Sequence, residues 1–147
     1  QLMRPGGGRD KGHAWERECC KLLEEALGIK FQRILSQTRE GGLADIEPVQ
    51  VTNFPFVIEC KRYGLGYQAK PEWWDQVCVA ARKAGGNKFP CLIYRYDRQQ
   101  PRVRLPLEAV AGIKDFNVYS GGGMPHDWKY ACEMDMETFF YVCRELL

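Results

Sequence analysis

The stretch Phe56-Val57-Ile58-Glu59-Cys60-Lys61 has the composition of a short apolar β-strand that ends in charged residues. Side chains alternate along a strand, so Glu59 and Lys61 share one face while Ile58 and Cys60 occupy the other. At about 3.3 Å per residue, the acid and the base lie roughly 7 Å apart on the same side. Such Glu-x-Lys triplets also occur by chance on solvated strand faces, so this stretch alone does not establish a function.

A second acidic residue precedes this strand. Asp45 follows Gly42-Leu43-Ala44 and lies at the start of another apolar stretch, which predicts a strand over residues 44–51. Aspartate and glutamate supply the hard oxygen ligands through which Mg²⁺ binds, while the ion keeps waters for a substrate phosphate. A lysine beside them can position an attacking water. Asp45, Glu59 and Lys61 are therefore the parts of a metal-dependent phosphodiesterase.

A third acidic residue lies on a predicted amphipathic helix over residues 12–27, which ends at Gly28. At about 100° per residue, Glu16 falls on the flank of the apolar arc, beside Leu23. A buried carboxylate needs a metal, a cation or hydrogen bonds to offset its lost hydration. A structural salt bridge would satisfy this need. With Asp45 and Glu59 nearby in sequence, we expect Glu16 to face the same cluster.

These spaced residues resemble a known family. Lys11-Gly12-x-x-x-Glu16-Arg17-Glu18, Asp45 and Glu59-x-Lys61 are similar to the PD-(D/E)xK nuclease superfamily, and in particular to archaeal-type Holliday junction resolvases and their phage relatives. The likeness covers about residues 9–105. It implies a restriction-endonuclease-like α/β fold, in which helices flank a central mixed β-sheet, followed by a C-terminal strand–helix extension. Asp45 follows Ala44 rather than the proline of the superfamily's name, which is a common variation.

The resemblance also implies a catalytic site. Asp45 and Glu59, with the backbone carbonyl of Cys60, would hold Mg²⁺, and Mn²⁺ would substitute for it. Glu16 would bind a second metal or a metal-bound water. Lys61 would position the attacking water and offset charge on the phosphate.

Charge is unevenly distributed along the chain, although the net charge is only +2. Residues 1–104 carry 18 basic and 12 acidic residues, whereas residues 105–147 carry 3 and 7. This distribution favours a polyanionic partner, and we expect DNA. The candidates for phosphate contacts are Arg9, Lys11, Arg17, Arg39 and Arg62. Residues 1–11 read as a flexible basic arm, which is either a passive tail or a phosphate-contacting segment.

The rest of the chain predicts further strands and helices around the same sheet. The expected elements are strands at 30–36, 56–61, 90–96, 102–105 and near 128–134, a polar loop at 37–43, a helix from Pro71 to about Ala84, a weak helix at 106–111, and a final helix with Asp135 as N-cap. This order predicts one nuclease domain over residues 12–147, with helices packed on a mixed sheet. Trp74 is expected in the core. Gln76 is a possible site residue, because related nucleases often carry a glutamine on this helix.

Length and composition limit the other possibilities. The 147 residues suffice for one domain with a core. The seven cysteines include no Cys-x-x-Cys pair, which favours buried thiols over disulfides or zinc. No apolar run approaches the length of a membrane span and no signal-peptide pattern opens the chain, so we expect a protein of the bacterial or phage-infected cytoplasm. Gly6-Gly7-Gly8 follows no strand, so we expect no nucleotide cofactor.

The sequence thus predicts a Mg²⁺-dependent endodeoxyribonuclease. The resemblance implies a branched substrate, the four-way junction, cut by paired nicks from a two-fold homodimer. One alternative is another nuclease of the same superfamily that acts on duplex, flap or replication DNA. A second alternative is a catalytically silent DNA-binding module. The final helix has apolar residues on more than one face, which fits internal packing and a subunit contact equally well.

Overall fold

The computed structural model describes residues 7–35, 43–111 and 127–147. The elements in chain order are α1 (Gly7–Leu27), β1 (Phe31–Arg33), β2 (Ile46–Pro48), β3 (Phe56–Tyr63), α2 (Pro71–Ala84), β4 (Phe89–Tyr96), β5 (Arg102–Pro106), α3 (Leu107–Ala111), a 3₁₀ turn (Trp128–Tyr130), β6 (Ala131–Asp135) and α4 (Met136–Leu146). The β-sheet has six strands, and their spatial order equals their chain order.

The β3–β4 pair is parallel, and the other neighbouring strands are antiparallel. A parallel pair needs a crossover connection, which α2 provides. The β3–β4 ladder runs in register from Phe56 opposite Phe89 to Tyr63 opposite Tyr96. This central ladder pairs every residue of β3, the strand that carries Glu59 and Lys61.

The helices cover the two faces of the sheet. On one face α1 and α4 pack over a core that includes Ile58 and Cys60, and on the other α2 packs over the side that includes Val57. Each face is a compact apolar layer, so the fold is a helix–sheet–helix sandwich. The alternation predicted for β3 is therefore confirmed. Trp74 is fully buried on α2, also as predicted.

Several boundaries differ from the predicted ones. Helix α1 begins at Gly7 rather than residue 12, so residues 7–11 belong to the helix and not to a flexible arm. Three glycines at this end lower helix propensity, which concealed the helix start. Strand β2 spans only Ile46–Pro48, because Pro48 has no N–H to extend the ladder. Arg39, most of the predicted loop at 37–43, and residues 112–126 lie outside the described residues.

The predicted starts of α2 and α4 match the structure. Helix α2 runs from Pro71 to Ala84, with the proline in its first turn. Asp135 caps α4 by accepting a hydrogen bond from the Thr138 amide at 2.7 Å. All seven cysteines are free thiols, and five of them are buried. Within the described ranges, no helix is both long enough and apolar enough to span a membrane.

Candidate active site

A cleft of about 480 Å³ opens where α1 passes the carboxyl-terminal end of β3. Its walls carry three of the predicted catalytic side chains, Glu16 from α1, Asp45 from just before β2 and Lys61 from β3. These residues come from three separate parts of the chain. The fold brings them together beside the short β2–β3 pairing, in which Ile46 lies opposite Ile58.

Asp45 is fixed by hydrogen bonds on both sides of its backbone. Its amide donates to the Ile58 carbonyl at 3.1 Å, and its carbonyl accepts from the Ile34 amide at 2.9 Å. Its side-chain Oδ2 accepts a hydrogen bond from the Cys60 amide at 2.8 Å. A hydrogen bond between a charged acceptor and a backbone N–H is strong. The carboxylate is thus held at the strand end next to Lys61.

Cys60 contributes its backbone rather than its thiol. The thiol is buried in the core under α1, and burial raises its pKa well above the ordinary range, so it stays neutral. The N–H and C=O of one strand residue point toward the same neighbouring strand. Because the Cys60 amide faces Asp45, the Cys60 carbonyl faces the same gap.

Glu16 is buried, with only 5% of its surface exposed, and it lies beside a cation. Arg33 Nε of β1 donates to its Oε1 at 2.9 Å. Burial of a carboxylate is tolerated when a guanidinium offsets its charge. Glu16 therefore has both of the features weighed from the sequence, a salt bridge and a position on the cleft wall.

The rim of the cleft is basic. Arg9, Lys11 and Arg62 all line it. Asp97, which follows β4, bridges two of them, accepting from Lys11 Nζ at 2.7 Å and from Arg62 Nε at 3.1 Å. These hydrogen bonds hold the pKa of Asp97 below its usual value. Asp97 thus ties the start of α1 to β3 and orients both cations at the rim.

Three other predicted site residues are not among those that line the cleft. Glu59 is buried and is not part of the cleft wall. Glu59 belongs to the face of β3 that lies under α2, near Cys78 of that helix. Burial raises the pKa of the Cys78 thiol to about 12, and the nearby Glu59 charge makes a smaller contribution in the same direction. Arg17 is exposed on α1 and lines a separate depression with Phe31 and Leu35. Gln76 is exposed on α2, also away from the cleft.

The donor chemistry of the cleft fits a hard divalent cation. The described residues include no cluster of three or more His, Cys, Asp and Glu side chains arranged to hold a metal. Mg²⁺, however, usually binds through one or two carboxylates and keeps several waters. The carboxylates of Glu16 and Asp45 and the carbonyl of Cys60 supply oxygen donors of this kind at one cleft.

Sequence reasoning missed three residues of this region. Arg33 was not foreseen as the partner of Glu16, nor Asp97 as the bridge between Lys11 and Arg62. His13 also lines the cleft, and it was not predicted as a site residue. It precedes Glu16 by three residues, so both side chains lie on one face of α1, and this spacing was an available signal.

A second cavity of about 530 Å³ lies between β2 and the end of α2. Most of its wall is apolar, from residues such as Ile46, Val51 and Phe56, and its charged members are Glu47 and Lys88. It contains neither Asp45 nor Lys61. The chemistry that the sequence predicts is therefore associated with the smaller, polar cleft.

Comparisons with known proteins agree with this architecture. The family model described as phage putative PDDEXK endonuclease matches residues 7–121. The solved structure of Archaeoglobus fulgidus Hjc, a Holliday junction resolvase from an archaeal hyperthermophile, is similar with a TM-score of 0.50 at 15% sequence identity. The match covers 91% of this chain and 99% of that one, and it shows a common α/β restriction-endonuclease-like fold. No curated protein matches the chain.

Proposed function

Because the chain belongs to the phage putative PDDEXK endonuclease family, we propose that it is a Mg²⁺-dependent endodeoxyribonuclease that resolves four-way DNA junctions. The observation that supports this proposal is the polar cleft, where Glu16, Asp45 and Lys61 lie beneath a basic rim. A basic rim suits the phosphates of DNA. Carboxylates below it suit a metal at the phosphate to be cut.

Each residue then has a role in phosphodiester hydrolysis. Asp45 and the Cys60 carbonyl would hold Mg²⁺, while Glu16 would hold a second metal or an ordered water. Glu59, the predicted second carboxylate, shares its strand face with Lys61 but does not line the cleft, so its role as a ligand stays a prediction. When bound, Mg²⁺ would lower the pKa of a water and stabilise charge on the phosphate.

Two groups of cations have different tasks in this proposal. Lys61 holds the attacking water and offsets the negative charge that develops on the phosphate. Lys11 and Arg62 contact flanking phosphates in orientations that Asp97 fixes. Arg33 holds the Glu16 carboxylate toward the cleft and limits the cost of its burial.

A junction is cut symmetrically when two identical active sites act on it, so we propose a homodimer. Tyr141 and Leu146 are exposed on α4, as is Leu147 directly after it, and exposed apolar residues at one place suit a subunit contact. Sedimentation velocity would measure the oligomeric state, and a monomer at assay concentration would contradict the proposed homodimer.

We also propose that the enzyme acts in the cytoplasm of phage-infected bacteria.

The decisive assay uses three DNA substrates that share one arm sequence: a four-way junction, a flap and a linear duplex. Each strand is labelled in turn, and cleavage is followed in Mg²⁺, in Mn²⁺ and in EDTA. The proposal predicts paired, symmetric nicks in the junction, with no cleavage in EDTA. Equal cleavage of flap or duplex would assign another nuclease activity of the family. Tight binding without cleavage in either metal would assign a silent DNA-binding module.

A further inference from the structure

The loop between β3 and α2, residues 64–70, holds two large apolar side chains in solvent beside the cleft. Leu65 is 95% exposed and Tyr67 is 75% exposed. Tyr63, at the end of β3, is 44% exposed and lines the cleft together with Gly64. Single exposed apolar residues are ordinary on protein surfaces. Three within five residues, next to a cleft, indicate a contact surface.

This loop is clamped rather than loose. Tyr96 donates its hydroxyl to the Gln68 carbonyl at 2.6 Å, and Gln99 Nε2 donates to the Gly66 carbonyl at 2.7 Å. Gly66 has φ +138°, and a Cβ there would lie 2.4 Å from the Tyr96 ring. The loop therefore requires glycine at this position. Its anchoring fixes the direction in which Leu65 and Tyr67 point, so their exposure is built into the fold.

The base of the loop is an aromatic and cationic stack. Tyr63 and Trp73 lie with ring centroids 5.1 Å apart and planes within 11° of parallel. Lys70 Nζ lies 5.5 Å from each ring centroid. Residues 61–70 carry Lys61, Arg62 and Lys70 and no acidic residue. The surface thus combines positive charge with flat apolar groups, the combination that binds unpaired nucleotides.

We infer that Tyr67 stacks on, and Leu65 packs against, a base that is unpaired or opened at a branch in the DNA. This inference rests on the proposed nuclease function. Continuity with the cleft supports this occupant, because Tyr63 and Gly64 belong to both surfaces. Apolar side chains that enter a base step open it, and aromatic side chains stack on exposed bases with little regard for sequence. The loop then recognises a structural feature of the substrate, while the cleft performs the cleavage.

The test measures equilibrium binding in EDTA, so that cleavage does not contribute. Four fluorescent DNAs are compared: a four-way junction, a paired duplex, the same duplex with three unpaired nucleotides in one strand, and that bulged duplex with abasic sites at the unpaired positions. The protein is the full chain, as wild type, Tyr67→Ala, Tyr67→Phe and Leu65→Ser. The control is Val110→Ala, which trims an apolar side chain that is 38% exposed on α3.

Tyr67→Ala should weaken binding to the bulged duplex about 5- to 150-fold, the range for loss of one stacked base. Leu65→Ser should weaken it in the same direction. Binding to the paired duplex and to the abasic bulge should change less than about twofold. Tyr67→Phe keeps the ring and should bind as wild type does, as should Val110→Ala.

Two results would overturn the inference. Equal losses on the bulged and abasic DNAs would mean that Tyr67 contacts the backbone, and unchanged affinities for every DNA would favour a protein partner for this loop. Neither result bears on cleavage, which is measured separately in Mg²⁺. A wild-type protein that cleaves DNA but shows no dependence on Tyr67 refutes only the loop's role. One that stacks bases but never cleaves refutes only the proposed nuclease function.

Discussion

Arg33→Ala should destabilise the fold considerably more than Glu16→Gln. Glu16 is only 5% exposed, and Arg33 Nε lies 2.9 Å from its Oε1. Removing one partner of a buried ion pair costs about 3–5 kcal/mol, because the remaining charge loses its counter-charge in a poorly solvated site. For a domain of this size, that loss lowers Tm by roughly 6–20 °C.

Glu16→Gln should be milder for two structural reasons. Glutamine keeps the volume of glutamate and carries no buried charge, and its carbonyl can still accept from Arg33. The Arg33 side chain is 19% exposed, so its guanidinium can reach water when the carboxylate is gone. The expected cost is about 1 kcal/mol, that of one weakened hydrogen bond.

The effect of added Mg²⁺ on thermal stability distinguishes a structural role of Glu16 from a metal-binding role. If Glu16 faces the metal, Arg33→Ala should be stabilised by added Mg²⁺ more than wild type is, since the cation replaces the lost guanidinium. At a Mg²⁺ concentration 100 times the Kd, this stabilisation is about 2.7 kcal/mol. Glu16→Gln should gain less than wild type does.

The assay is thermal unfolding followed by circular dichroism, in EDTA and over a Mg²⁺ series, with nicking rates measured on the same samples. We expect Glu16→Gln to remain folded and to cleave at least about 100-fold more slowly. A Glu16→Gln protein that cleaves normally, together with an Arg33→Ala protein that Mg²⁺ does not stabilise, would refute the reasoning. Glu16 would then be a structural partner of Arg33 alone.

Two further predictions concern the rim. The pKa of Asp97 is lowered chiefly by hydrogen bonds from Lys11 and Arg62, so its stabilising contribution is complete above about pH 4 and lost as pH falls through the lower folded-state pKa. Asp97→Asn should therefore flatten the acid limb of a Tm-against-pH curve, and an unchanged limb would contradict the bridge. Arg9→Gln should reduce the slope of log K against log salt for DNA binding by about 0.9, the contribution of one phosphate contact. An unchanged slope, measured by fluorescence anisotropy with Lys21→Gln as control, would remove Arg9 from the interface.

Local signals in the sequence predicted much of the fold. The period of two along β3 placed Ile58 and Cys60 on the face opposite Val57, because strand geometry imposes this alternation on any sequence. Helices α2 and α4 were predicted from residues that act within one turn, a proline at the start of α2 and the Asp135 cap of α4. Signals of this kind need no knowledge of distant contacts.

The parts that sequence reasoning missed depend on tertiary contacts. The Glu16–Arg33 pair joins α1 to β1, and the Asp97 bridge joins residues that are 86 positions apart. No periodicity or spacing predicts either. That Glu16 lies near Asp45 was expected from the sequence, whereas the distances between them depend on how the chain folds. Glu59, by contrast, shares its strand face with Lys61 as predicted but is not part of the cleft wall.

The central claim is that this cleft hydrolyses DNA, and Lys61→Ala tests it most directly. The measurement is single-turnover nicking of a four-way junction in Mg²⁺ at saturating enzyme, with Lys21→Ala as control because Lys21 is exposed on α1 outside the cleft. We expect Lys61→Ala to cleave about 10²–10³-fold more slowly and to bind the junction almost unchanged, since one preorganised charge is lost from a large electrostatic footprint. A Lys61→Ala protein that binds poorly but cleaves at the wild-type rate once bound would contradict the central claim.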